Sequence, residues 1–303
     1  MKGIVLKSTG SWYEVLVDDT TMMCRTRGKL RLDNIKETNP GAVGDHVMID
    51  KDGDDGIIAE VLPRSNQILR KSVKKTGHAH VLAANVDQVL LIATLKQPRT
   101  SLGFIDRFLA SAESYRIPQL VLFNKKDLLS EDESEDQKIL LDLYNSIGVS
   151  ARCIEAQAGE LDFLHPLLKN KITLIAGHSG VGKSTLLNRL SPSIKQNTNQ
   201  ISDFSSKGTH TTTFAEMFRL DEATFVIDTP GIKEWGMLDM EQQEISDYFP
   251  EMRDLRLQCK FGSKCLHIQE PNCAIIPAVE KGQIAVSRYE SYLSIVRGDD
   301  NRK

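Results

Sequence analysis

An α/β domain with a doubly wound sheet, flanked by a small β-barrel and a mainly helical tail, is the fold this sequence predicts. Three observations predict it. From about residue 75 to 240, short apolar runs alternate with helix-period segments, the pattern of a parallel sheet with crossover helices. Before that, five β-like runs fall within about seventy residues, separated by turn signals, as in a small barrel of the OB type. After it, three cysteines and a histidine crowd into Cys259-x5-Cys265-x-His267-x5-Cys273. Residues 1–70, 71–240 and 241–303 are therefore read as three domains, which suits a chain of 303 residues.

The barrel strands are Lys2–Ser8, Trp12–Val17, Thr21–Arg27, Asp45–Asp50 and Gly56–Leu62, with turns at Asn39-Pro40-Gly41 and Asp52 to Gly56. Arg25, Arg27, Lys29 and Arg31, with Trp12 and Tyr13, suit a nucleic-acid face. A purely structural barrel is the plainer alternative. Val61 to His80 adds Arg64, Arg70, Lys71, Lys74 and Lys75 without an acid. In the central domain the strand segments are Gln88–Thr94, Leu120–Phe123, Val149–Ile154, Ile172–Ala176, Thr213–Arg219 and Thr224–Ile227. Phe104–Tyr115, Ser134–Ile147, Leu161–Leu168 and Ser184–Leu190 read as helices. The acid-rich stretch Asp127 to Asp136 reads as a solvated loop or helix start. In the tail, Ala285, Tyr289, Tyr292 and Val296 mark the packing face of a last helix.

Two motifs within the central domain carry chemistry. Gly177-His178-Ser179-Gly180-Val181-Gly182-Lys183-Ser184-Thr185 fits G-x-x-x-x-G-K-[ST] and stands between an apolar strand and a helix. Its glycines let backbone N–H groups turn inward around phosphates, and the helix adds its positive end. Lys183 would sit on the β/γ-phosphate oxygens and the Ser184 hydroxyl on Mg²⁺. Asn124-Lys125-Lys126-Asp127 follows an earlier strand and fits the guanine-reading N-K-x-D pattern. A carboxylate at Asp127 can accept from both N1–H and the 2-amino group of guanine, a donor pair that adenine lacks. The base reader thus precedes the phosphate loop, the reverse of the ordinary GTPase order. The expected fold is a circularly permuted P-loop GTPase domain.

Further residues complete the expected site. Asp228-Thr229-Pro230-Gly231 ends a strand; Asp228 would hold Mg²⁺ through water and the Gly231 N–H would contact the γ-phosphate. Ile232 follows, where Ras-like enzymes carry a water-orienting glutamine, so intrinsic hydrolysis should be slow. The polar stretch Ser191 to Thr213 reads as a loop whose Thr212, or its neighbour Thr211, would complete the Mg²⁺ shell. The four tail residues supply three thiolates and an imidazole, a Cys₃His set suited to structural zinc. A disulfide reading is disfavoured because there is no signal peptide. Cys24 and Cys153 are read as small core residues.

Composition limits the alternatives. Apolar content of 40% and charge of 26% describe a soluble globular protein, expected in the cytoplasm as a monomer. The net charge of −3 offers no global attraction to nucleic acid, so RNA contact must come from local patches. No apolar run approaches membrane-spanning length.

In order, barrel, N-K-x-D, phosphate loop, Thr-rich segment, D-T-P-G and Cys₃His cluster resemble the ribosome small subunit-dependent GTPase A family (RsgA, also YjeQ or YloQ) over essentially the whole chain. The resemblance implies GTP hydrolysis stimulated by the small ribosomal subunit, as a late maturation checkpoint. It also implies rRNA contact through the barrel and zinc domains. Carried over by position, guanine recognition falls on Asn124, Lys125 and Asp127. Phosphate and Mg²⁺ contacts fall on Gly180, Gly182, Lys183, Ser184, Thr185 and Asp228, and zinc ligation on Cys259, Cys265, His267 and Cys273. Glu155-Ala156 replaces the family's Ser-Ala, leaving the Ala156 N–H for guanine. His178 replaces a frequent glutamine, and the first two cysteines are one residue further apart than is common. Gly180 stands where potassium-activated GTPases carry asparagine, which speaks against potassium activation. The alternative to an enzyme is an rRNA-binding assembly factor that holds GTP as a structural ligand.

Overall fold

Alternation along the first strands builds the barrel. A computed structural model describes residues 1–26, 41–71, 79–191, 194, 215–229 and 240–298. Thr211, Thr212, Gly231 and Ile232, and the cations Arg27, Lys29, Arg31, Lys74 and Lys75, lie outside the described residues. The chain divides into two compact units, Met1–Leu90 with Ala156–Gly236, and Leu91–Glu155 with Met237–Lys303.

In the first unit, β1 (Lys2–Ser8), β2 (Trp12–Val17), β3 (Thr20–Thr26), β4 (His46–Asp52) and β5 (Asp55–Val61) form the OB-type barrel. β1 pairs antiparallel with β2 and β4, and the parallel pair β3–β5 closes the circuit. Tyr13, Val15 and Val17 point inward with Val5, Cys24, Val47, Ile49 and Ile58, as a period of two requires. Cys24 is thus the core residue expected.

A hairpin absent from the sequence reading follows: β6 (Gln67–Lys71) against β7 (Ala79–Ala84). Its register slips between Ile68 and Leu69, which breaks the alternation that would reveal it. The hairpin is tied to the barrel. Asp45 accepts from Arg64 Nε at 2.7 Å and Nη2 at 2.9 Å, while Arg64 Nη1 donates to Gln67 Oε1 at 2.8 Å. Gly44, at φ +89°, passes so close to β7 that a Cβ would lie 2.1 Å from the Ala84 carbonyl oxygen.

The remaining strands of this unit are β11 (Ile172–Ala176), β12 (Glu216–Arg219) and β13 (Phe225–Asp228). β11 and β13 are parallel, and their inner residues, Leu174, Ile175, Val226 and Ile227, are fully buried, as parallel strands demand. β12 runs antiparallel to β13 and joins β1 at Lys7 and Glu216, whose side chains pair at 3.0 Å. Barrel and phosphate-loop strands therefore share one sheet.

β8 (Gln88–Ala93) is buried along its whole length and leads into the second unit. There β9 (Gln119–Phe123) and β10 (Ser150–Cys153) are parallel. Cys153 departs from expectation. It ends the short β10 only half-buried, and its Sγ donates to Gln137 Oε1 at 2.7 Å. α1 (Leu102–Ser114) starts at Ser101, whose hydroxyl accepts from the Phe104 N–H. α2 (Glu131–Ser146) starts three residues before the apolar period does. Ser130 and Glu133 form a capping box, and three acids in the first turn suit the helix dipole.

The tail continues this unit with α5 (Pro250–Arg253), α6 (Ile275–Glu280) and α7 (Val286–Arg297), after the short α3 (Leu164–Leu168) and α4 (Lys183–Leu190) of the first unit. α7 closes on Gly298 in a left-handed conformation, φ 71°. Tyr292 and Val296 enter the core as the 4-3-4 spacing suggested, with Phe249, Met252, Ile275 and, from α1, Ala110. Among the described residues, no helix is long and apolar enough to cross a membrane.

Candidate functional site

β11 delivers the phosphate loop. Gly177, Gly180 and Gly182 take φ of 149°, 84° and 105°, values that side chains with a Cβ resist. The loop folds back over Lys183, whose Nζ donates to the Gly177 carbonyl at 2.6 Å and the His178 carbonyl at 3.0 Å. Val181 is fully buried, as are Leu186 and Leu187 on α4, and these anchor the loop to the core. Ser179, Gly180, Ser184 and Thr185 remain exposed at the mouth. Burial lowers the Lys183 pKa, and the Asp228 charge opposes that shift. His178 is lowered as well, by burial first and by Lys183 second.

Asp228 ends β13 opposite Ile175 of β11. Its Oδ1 is buried without a hydrogen-bond partner, and burial raises its pKa despite Lys183. An orphaned buried carboxylate oxygen is costly unless a cation or donor meets it. The next residue, Thr229, donates its hydroxyl to the Ile175 carbonyl at 3.0 Å and fixes this strand end. The donor set therefore fits Mg²⁺, which Ser184 and Asp228 would hold through oxygen, directly or through water. Ala156 is buried in the same unit, and its carbonyl accepts from Arg189 of α4 at 3.1 Å.

In the second unit β9 delivers the guanine motif. Asn124 is buried and its N–H donates to the Ala93 carbonyl at 2.8 Å, extending the strand pairing. Lys125 adopts the left-handed conformation, φ 64°, and its ammonium donates to the Gln97 carbonyl. Positive φ at a residue other than Gly, Asn or Asp is uncommon and marks a constrained turn. The turn carries Asp127 out into solvent.

The structure brings Cys259, Cys265, His267 and Cys273 together, with all four ligand atoms within 4.8 Å of one another. Cys259 and Cys273 sulfurs lie 4.0 Å apart, and His267 Nδ1 lies 3.5 Å and 3.4 Å from them. A tetrahedron with metal–sulfur bonds of about 2.3 Å has sulfur–sulfur edges of about 3.8 Å, so this cluster could hold a metal ion. The Cys259 and Cys273 sulfurs are too far apart for a disulfide, and all three cysteines are free. Burial pushes the Cys265 thiol up to about 12 and the His267 imidazole down to about 4.

Sequence reading missed Glu270, which shapes the ligand loop. Its carboxylate accepts from the N–H groups of Leu266 at 2.8 Å, Ile268 at 2.7 Å and Gln269 at 3.1 Å. Burial works against its charge, but these N–H bonds hold its pKa below the usual range. An acid three residues after a histidine ligand was the available signal. Tyr289 and Tyr292 of α7 donate to the His267 and Leu266 carbonyls at 2.6 Å and 2.8 Å.

Comparison with known proteins decides the family. The RsgA GTPase pattern matches residues 61–238, and the RsgA N-terminal domain pattern matches residues 2–58. The chain belongs to the RsgA GTPase family. A small ribosomal subunit biogenesis GTPase RsgA from Bacteroides fragilis is 48% identical over 307 residues, covering 100% of this chain and 98% of that relative. The protein of that name from Cytophaga hutchinsonii is 50% identical over 311 residues, covering 100% of each chain. Among solved structures, YjeQ from Thermotoga maritima aligns with a TM-score of 0.77 at 34% identity, over 100% of this chain and 99% of its own. YloQ, a circularly permuted GTPase, aligns with a TM-score of 0.73 at 30% identity, over 100% and 96%. This RsgA-family chain is thus a circularly permuted GTPase, and its N-K-x-D stretch precedes its phosphate loop for that reason.

Proposed function

We propose that this chain hydrolyses GTP as a checkpoint in late maturation of the small ribosomal subunit. It is slow alone and stimulated by the subunit. The observation that carries the reading is the phosphate loop: three positive-φ glycines enclose Lys183 beside a buried, partnerless Asp228 oxygen. The relatives named for small-subunit biogenesis support the choice of partner.

Each residue has a part. Gly177 to Thr185, His178 and Ser179 included, surround the phosphates, and Lys183 exchanges its carbonyl partners for phosphate oxygens. Asn124, Lys125, Asp127 and the Ala156 N–H hold guanine. Ser184, Thr212 and Asp228 would hold Mg²⁺, which would supply charge neutralisation for the transferred phosphoryl group. The Gly231 N–H contacts the γ-phosphate. The tail residues Cys259, Cys265, His267 and Cys273 hold one zinc, which suits three thiolates and an imidazole better than harder cations. Residues 1–70 and 241–303 contact rRNA and flank the catalytic domain, 71–240. The protein acts as a cytoplasmic monomer.

The test is GTP turnover with and without purified small subunits, with ATP as control. Stimulation confined to GTP is the expected result. Guanine-selective binding without turnover in either condition would instead make GTP a structural ligand of an rRNA-binding assembly factor.

A further inference from the structure

A continuous buried line of side chains runs through the second unit from the metal cluster to the guanine motif. It starts at His267, whose ring lies 6.0 Å from that of Tyr292. Tyr292 meets Phe249 edge-on at 5.7 Å, and the Arg288 guanidinium lies 4.5 Å above the Phe249 ring. Arg288 then donates to Glu251 Oε1 at 2.7 Å and Oε2 at 3.2 Å, and to Asp106 Oδ1 at 2.7 Å. Asp106 Oδ1 also accepts from the Tyr144 hydroxyl at 3.0 Å. The Tyr144 ring lies 6.1 Å from Phe123, the residue that precedes Asn124. Tyr292, Phe249, Arg288, Asp106, Tyr144 and Phe123 are all no more than 2% exposed.

This line has no slack. The second Asp106 oxygen is buried without a partner, so Arg288 and the Tyr144 hydroxyl are what compensate that carboxylate. Glu251 shares the same cation. If α7 moves, the buried Asp106 and the half-buried Glu251 lose the arginine they share, and Tyr144 loses the acceptor that orients its ring against Phe123. The position of α7 is in turn set at the metal loop, through the Tyr289 and Tyr292 hydroxyls on the carbonyls of His267 and Leu266.

We propose that Arg288, Asp106 and Tyr144 couple the metal cluster to the guanine-reading segment, so that metal retention and guanine-nucleotide binding strengthen each other. Both ligands require the same arrangement of α7, α1, α2 and the end of β9. Whatever binds that arrangement stabilises it for the other, and the effect on the two affinities must be the same factor. Arg288 and Tyr144 are positioning residues, touching neither ligand. The inference rests on the reading of Asn124-Lys125-Lys126-Asp127 as the guanine site.

The experiment uses the full-length protein loaded with zinc and a fluorescent GDP analogue. Zinc affinity is measured by competition with a chelator, with and without saturating GDP. GDP is expected to tighten zinc by a factor on the order of ten, inside the usual range for coupled sites. In Tyr144→Phe, which keeps the ring and loses the bond to Asp106, the factor should fall towards one while GDP still binds. Tyr248→Phe removes a hydroxyl that donates to the exposed Glu244 and should leave the factor unchanged. If the zinc-loaded protein binds no GDP, the guanine assignment fails and the inference with it. GDP binding with equal zinc affinity in both conditions overturns the coupling alone, and so does a wild-type factor in Tyr144→Phe.

Discussion

Arg288 Nη1 donates to Asp106 Oδ1 at 2.7 Å across 182 residues of sequence, with both side chains sealed from solvent. Burial opposes the arginine charge, yet Asp106 and Glu251 hold its pKa above the ordinary arginine value. Removing the cation leaves the buried Asp106 and the half-buried Glu251 without the guanidinium they share. Arg288→Ala should therefore lose about 3–5 kcal/mol of folding stability in denaturant unfolding. Adding Asp106→Asn should restore part of that loss, because one of the repelling charges is gone. By contrast Arg116, half-exposed beside Asp247 at 2.6 Å, should cost no more than about 1 kcal/mol as Arg116→Ala. Equal losses at Arg288 and Arg116 would contradict the account.

Asp228 gives a pH dependence. Burial holds its folded-state pKa above the ordinary 3.8. The folded, ligand-free protein then binds that proton more tightly than the unfolded chain does. The resulting stability is present below the unfolded value and is lost as pH rises through the folded one. Asp228→Asn removes the ionisation. Without nucleotide, its melting temperature should exceed that of the wild type at pH 7.5, with the gap closing at acid pH. GTP turnover should nonetheless collapse, because the carboxylate proposed to hold Mg²⁺ has gone. A variant less stable at pH 7.5 and equally active would refute both halves.

Much of this molecule was legible because its signals are local. Tyr13, Val15 and Val17 alternate within six residues, and the barrel strand follows. The four residues of the Cys₃His cluster fall within fifteen residues, so short loops suffice to bring them together. Phosphate loop and guanine motif each follow an apolar strand that the pattern identifies. What stayed hidden depends on distant partners or broken patterns. Asp106 lies in a segment read only as a helix, yet it is buried and bonded to Tyr144 and Arg288, 38 and 182 residues away. The β6–β7 hairpin hides behind its register slip. Cys153 looks like a core residue, but it ends a four-residue strand and is only partly buried.

The metal cluster should show itself by analysis and by stability together. Purified protein should carry about one zinc per chain, and Cys265→Ser with His267→Ala should carry none. Loss should loosen the tail, since zinc binding supplies folding free energy to a region of short helices and turns. Limited proteolysis should then cut between residues 240 and 298 in the variant and not in the zinc-loaded wild type. Cys24→Ser is the control: Cys24 is fully buried in the barrel, so this variant should destabilise the fold while retaining zinc. Full zinc content in the double variant would exclude these ligands.

Asp127 separates recognition from folding. Its side chain is exposed on a turn, so Asp127→Asn should change stability by no more than about 0.5 kcal/mol. Binding should change far more. In the proposed site guanine would present two donors to this carboxylate, and an amide can accept one while directing its own donor at the other. The mismatch should weaken GDP by a few kcal/mol, on the order of a hundred-fold in Kd. Xanthine carries a carbonyl where guanine has its 2-amino group, so an asparagine there can accept from the ring N–H and donate to that oxygen. The variant should therefore gain affinity for XDP as it loses GDP, and ATP should stay weak in both proteins. Titration of each nucleotide against wild type and variant decides it. An Asp127→Asn protein that binds GDP as tightly as wild type, with no gain for XDP, would place guanine recognition elsewhere in the chain.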